Sequence, residues 1–512
     1  MAAPKQQSIF KIASKPGIKR DGTRLEGENY IDGRWCRFNR GFPRKMWGYK
    51  ELRKDFTGPA RGAYAFSSGG YTDVHCMTAS GIEMISVDQN GGSSGIQTRT
   101  PAGFTTQSDY IWQSDTMYDA AGSSAVCIMH PGRNLNAIDN DVQTPVYYGD
   151  VRSSTALVST GQSVSGGCVV LHPFLFLYDN DGYILWSQEN QPTQFAGGSS
   201  GNARVAGTKI VKGLVARGGT GYSPSGIFWA LDSVIRASYV GGSAIFRFDT
   251  VSDQSSILSS SSPIEYDGVF FWIGVDRFYV YNGVVRELPN SMNLDWFFSG
   301  LNWQYRQKVW AMKVPRWGEI WWFYPRGSNT ECSDAIIYNV REDTWYDAGS
   351  AAGARRSFGI SPGLFPQPLC FAADAYSTGK YSLHQHEFGV DYVDDVGTVA
   401  IQSYFETNAV AFPTQGPNGM QWMGVEGTTR VMRFEPDFVM SGEMNMTVRG
   451  GAFANSTDIV SDPPYSFTQS TEKVDLKEQR RLMRFRFESN VAGGDYLMGE
   501  PLLTLEYGDG RP

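Results

Sequence analysis

The stretch Glu319–Gly349, "EIWWFYPRGSNTECSDAIIYNVREDTWYDAG", limits the choice of fold more than any other part of the chain. Trp321, Trp322, Phe323 and Tyr324 follow one another without a polar interruption. A polar turn leads to a second apolar run at Ile336, Ile337 and Tyr338, and a charged turn leads to Trp345 and Tyr346. A strand that is apolar at consecutive positions is covered on both faces. The segment therefore reads as a strand pair inside stacked sheets.

The same grammar recurs. "FLFLYDNDGYILWSQENQPTQF" from Phe174 gives strand, turn and strand, and "AYAFSSGGYTDVHCMTASGIEMISVD" from Ala63 has the same shape. "VFFWIGVDRFYVYNGVVREL" from Val269 gives three short strands, broken at "GVD" and at Asn282-Gly283. Asn-Gly between apolar runs is a strong hairpin signal because both residues tolerate positive φ. Four-stranded units of roughly 40–50 residues, repeated radially, make a β-propeller; a large β-sandwich uses similar hairpins. The expected fold is all-β, a β-propeller body over 61–395. Near residue 395 the texture changes to long alternating strands, with Met432 and Phe434, and Met483, Phe485 and Phe487, each on one side by period-2 counting. A C-terminal β-sandwich is expected over 396–512. "NLDWFFSGLNWQYRQKV" from Asn293 is compatible with a short helix.

Low charge (19%), 14% aromatic residues and 58 Gly fit short strands and tight turns better than coiled coil or disorder. No apolar run reaches 18 residues, and the first twenty residues lack a secretory apolar core, so a cytosolic site of synthesis is expected. Six scattered cysteines without a CxxC suit buried thiols rather than zinc or disulfides. Net charge is −7, unevenly spread: residues 1–60 carry +8 and the remainder −15. Residues 1–60 are expected to be a basic arm on an acidic body.

Motifs for chemistry are weak. Gly91–Gly95 and Gly197–Gly201 match G-x-S-x-G but sit in Gly/Ser loops with no helix following. His384 and His386 in "HQHE" share a strand face at a spacing a metal can use, yet few ligand types surround them, and a structural pair is the plainer reading. "YDNDG" at 178–182 lacks the spaced acids of a calcium loop and reads as a hairpin turn. No P-loop or dinucleotide fingerprint is present, no Asp-box occurs, and no cofactor or metal is expected. "GRWCRFNRGFPRKMWGYKELRK" from Gly33 interleaves basic and aromatic residues. Two readings follow: phosphate contacts to nucleic acid, or docking against an acidic protein surface.

Several stretches together resemble the packaged-DNA stabilisation and tail-nozzle (tail tubular B-like) proteins of short-tailed bacteriophages. They are residues 233–283, the segment from Glu319, "LHQHEFGVD" at 383–391, the leading "YIDGRWCRFNRGFPRKMWGY" and the closing "RRLMRFRFESN…GEPLLTLEYGDGR". The resemblance implies a structural virion protein without catalytic residues. It implies a homo-oligomeric ring, commonly of six copies, beneath the portal and its adaptor. Double-stranded DNA would be retained and then pass through without sequence-specific binding, and no small-molecule substrate is expected. An acidic lumen would repel phosphates. Arg34, Arg37, Arg40, Arg44 and Lys45 are the expected assembly-interface residues. A glycan- or receptor-binding propeller of a tail is the alternative, and a propeller hydrolase the more distant one.

Overall fold

The computed structural model describes residues 7–12, 14–108, 110–132, 142–216, 224–362, 365–410, 413–415, 421–423, 428–453 and 455–508. The last residues of the closing segment, 509–511, lie outside that set. Seven blades follow one another, spanning 62–98, 113–164, 167–204, 210–252, 264–287, 310–347 and 356–386. Each of the first six is a four-stranded antiparallel meander. The seventh supplies three strands of its own, and its outer strand is Tyr49–Phe56 from far upstream. Ring closure by that strand removes a sheet edge that would otherwise stand open.

The consecutive aromatics are explained by this geometry. In the second strand of blade 6, Glu319–Tyr324, all six residues are buried. Trp322 and Tyr324 enter the apolar cluster shared with blade 5, beside Phe278 and Trp345. Trp321 and Phe323 enter the cluster on the other face, with Trp310 and Trp35. Six further clusters fill the remaining junctions between neighbours around the ring. Alternate side chains thus serve two different cores, and both must be apolar.

The sandwich is built from both ends of the chain. Gln7–Lys11 pairs with Leu502–Tyr507, Asp32–Arg34 with Ser403–Glu406, and Phe42–Lys45 with Asp495–Met498. Residues 1–60 are therefore not a separate arm: the propeller is inserted into the sandwich. Met483, Phe485 and Phe487 share the core as the alternation requires. Thr429–Glu435 departs from it, because a bulge between Val431 and Arg433 shifts parity. Val431 and Phe434 are buried there and Met432 is not. The short helix expected from Asn293 occupies Leu294–Gly300, followed by a 3-10 turn at Trp303–Lys308. All six cysteines are buried free thiols.

Candidate functional site

Two places gather chemistry-bearing side chains. The first is the basic hairpin Cys36–Asn39/Phe42–Lys45, in which Arg37 stands opposite Arg44. Its turn uses positive φ at Arg40 and Gly41, the geometry that matches strand twist in a two-residue loop. Arg37 points inward and is fully buried between sandwich and propeller. Its Nη1 and Nη2 donate to Glu387 Oε2 and Oε1 at 2.7 and 2.6 Å. Its Nε and Nη2 lie 2.9 and 3.1 Å from Oε1 and Oε2 of Glu319. The carboxylates have further donors: Tyr346 Oη and Trp321 Nε1 to Glu319, each at 2.7 Å, and Trp317 Nε1 to Glu387 at 2.9 Å. Burial raises the Glu319 carboxyl above its ordinary value, and the Arg37 guanidinium opposes that shift.

Lys45 is equally enclosed. Its Nζ donates to Gly494 O at 2.6 Å and lies 4.0 Å from Asp391, and burial pulls its pKa down. Arg44 stacks over Trp317 at 5.0 Å and approaches Asp495 at 3.9 Å. Arg34 Nη1 donates to Gln402 Oε1 at 3.0 Å. Arg40 is the exposed one; its backbone N–H and that of Gly41 donate to Glu342. Arg37 and Lys45 are thus corrected as residues for contacts between copies. Alternation along the hairpin turns them into the seam within one chain, where no neighbour reaches them. Of the five, Arg40 remains open to solvent.

The histidine pair belongs to a core. His386 Nε2 accepts from Arg356 Nε at 2.7 Å, and Tyr49 stacks on His386 with ring centroids 5.4 Å apart. Burial, then Arg356, hold both His384 and His386 far below the ordinary imidazole range. Among the described residues no three His, Cys, Asp or Glu side chains gather as a metal requires. A second acidic pair, Asp334 and Asp347, sits where the leading segment crosses blade 6. Arg20 bonds Asp347 at 2.9 Å and also Asp32. Burial, then Asp347, push the Asp334 carboxyl up to about 6.

The second place is a groove of ≈ 670 Å³ between blades 4 and 5. Three connectors wall it: the turn at Leu231–Asp232, the linker Ser252–Ser256 and the turn at Val275–Arg277, with Arg286 and Glu287 at one end. In an antiparallel meander these connectors, between second and third strands and from one blade to the next, emerge on one face of the ring. The sequence signal was the polar run Ser252-Asp253-Gln254-Ser255-Ser256 between two strands. It went unread because such runs usually mark plain loops.

No family model matches the chain, and no curated protein does. Solved structures similar to it include an ancestral GH74 enzyme, at 11% identity and TM-score 0.38, covering 71% of this chain and 52% of that one. The chain thus spans about half the length of that structure. Another is an exo-beta-1,3-galactanase from Phanerochaete chrysosporium with galactose, at 9% identity and TM-score 0.29, covering 87% of this chain and 96% of that one. The expectation of a chain without enzymatic activity is corrected here, because both similar structures are enzymes. At such identities and scores neither lends this chain a substrate or a reaction.

Proposed function

We propose that this chain is a structural subunit of a bacteriophage tail. Copies would form a ring, six in number, that prolongs the portal–adaptor channel, retains packaged DNA and conducts it on ejection. One observation carries the reading. The strand that closes the propeller, Tyr49–Phe56, lies between the last strand of blade 7 and the strand by which the chain leaves the propeller, Tyr392–Val393. Where the chain enters and leaves the propeller, its strands are hydrogen-bonded to each other, and both continue into one sandwich locked by Arg37. Such a subunit transmits load without opening, as a wall around confined DNA must. The chain's net charge of −7 favours passage of a polyanion over capture of it. Electron microscopy of the purified protein, alone and mixed with portal and adaptor, tests this. Annular particles are expected, and dispersed monomers in both samples would overturn the reading.

A second reading, a tail propeller that recognises a glycan, is favoured by the polar groove between blades 4 and 5. A glycan array probed with the intact protein separates it from a purely architectural role.

A further inference from the structure

The groove between blades 4 and 5 holds a polar group that nothing in the chain satisfies. Ser255 is 4% exposed and lines the groove, yet its Oγ has no hydrogen-bond partner. A buried hydroxyl left without a partner costs about 1–3 kcal/mol, so its retention at a groove wall calls for a ligand. Most neighbouring polar groups are already engaged. Val275 N–H donates to Ser256 Oγ at 3.0 Å, Thr208 and Ser233 hydroxyls donate to Asp232, and Arg277 bonds Asp276 and Glu287. The Asp253 carboxylate and the Gln254 side-chain amide lie on the same linker, exposed, with no side-chain hydrogen bond within the chain.

We infer that this groove binds a neutral oligosaccharide, with Ser255, Asp253 and Gln254 as its polar contacts. The inference rests on the glycan-recognising reading above and gives it a location. A carboxylate accepts, an amide does both and a hydroxyl does both, a combination that suits vicinal sugar hydroxyls. The charges select against ions. Asp232, Asp253, Asp276 and Glu287 repel a polyanion, while Arg277 and Arg286 in the same wall repel a cationic peptide. Val275, 40% exposed, with Val285 offers an apolar surface for the C–H face of a sugar ring. The volume falls in the range of about 300–1,000 Å³ typical of small-ligand sites.

The experiment is isothermal titration of the full chain with maltohexaose, cellohexaose, mannohexaose and a β-1,3-galactan hexasaccharide. Binding of at least one is expected. The double variant Asp253→Ala/Gln254→Ala should weaken it at least tenfold, and Glu189→Ala on blade 3 should leave it unchanged. Ser255→Ala should lower affinity without lowering the melting temperature, which a merely structural serine would not do. Binding that survives the double variant undiminished overturns the groove assignment and leaves the glycan reading standing. Absence of binding to all four sugars overturns both.

Discussion

Arg37 concentrates the stability of the molecule in one side chain. Removing it strands two carboxylates, Glu319 and Glu387, in a seam with almost no solvent access. Breaking a buried ion pair in this way costs about 3–5 kcal/mol. Arg37→Ala should therefore lower the urea midpoint sharply, and a midpoint shift under about 1 kcal/mol would show that the seam takes in water. Histidine sets a second dependence. His75, His130, His384 and His386 are buried with pKa values below the ordinary 6.5, about 3 and about 4 for the first two, chiefly through desolvation. Below pH 6.5 the unfolded chain binds protons at these sites that the folded chain refuses. Stability contributed by the neutral rings is thus present above 6.5 and lost as pH falls, by at most about 1.4 kcal/mol per pH unit for each. Asp334 acts with the opposite sign, since its raised carboxyl, about 6, takes a proton first in the folded state. Four groups oppose one, so the urea midpoint should fall between pH 7.5 and 5.0. His384→Gln/His386→Gln should reduce that slope by about half; an unchanged slope would assign the pH dependence elsewhere.

At the scale of elements, the closing strand is held by a close approach just before it begins. Gly48 N–H donates to Gly389 O, and a Cβ at Gly48 would stand 2.0 Å from the carbonyl oxygen of Asp391. Gly48→Ala must push the departing chain away from Tyr49, at a cost of about 1–3 kcal/mol for overpacking. Hydrogen exchange should show amides of 49–56 and 392–393 losing protection before those of blades 2–5. Uniform loss around the ring would mean that closure is not the weak point. Blade strands were legible in the sequence because their partners are near neighbours: turns such as Asn282-Gly283 announce the hairpin, and Gly283 indeed takes positive φ. The closing strand was not, because Tyr49 pairs with His386 and Gln7 with Glu506, partners hundreds of residues away that leave no local periodicity. Met432 was misplaced for a related reason, since a one-residue bulge reverses parity without changing the apolar pattern. The groove escaped notice because Ser, Asp and Gln in a linker look alike whether they face a ligand or water.

At the scale of the whole molecule, the uneven charge of the sequence is answered inside the subunit. Basic residues of the first sixty meet eight acids from the rest of the chain, namely Glu500, Asp347, Asp458, Glu319, Glu387, Asp495, Asp391 and Asp395. The arm and the acidic surface it was expected to grip are parts of one fold, and the segment has little positive charge left for another copy. A heterologous ring contact must then use what the hairpin leaves outside. Arg40 is exposed at the turn, and Glu342 of blade 6 stands directly beneath it. Arg40→Glu should leave the melting temperature within about 2 °C, since exposed substitutions rarely exceed 0.5 kcal/mol, while reducing the yield of annular particles. Arg37→Glu, by contrast, should yield no folded subunit, because it places three carboxylates in one buried seam. If Arg40→Glu assembles as readily as the unmodified protein, the hairpin serves the interior alone. The contact between copies would then have to come from the uncovered outer strands of the blades, where edges such as Gln97–Thr98 stand exposed without any arginine to direct them.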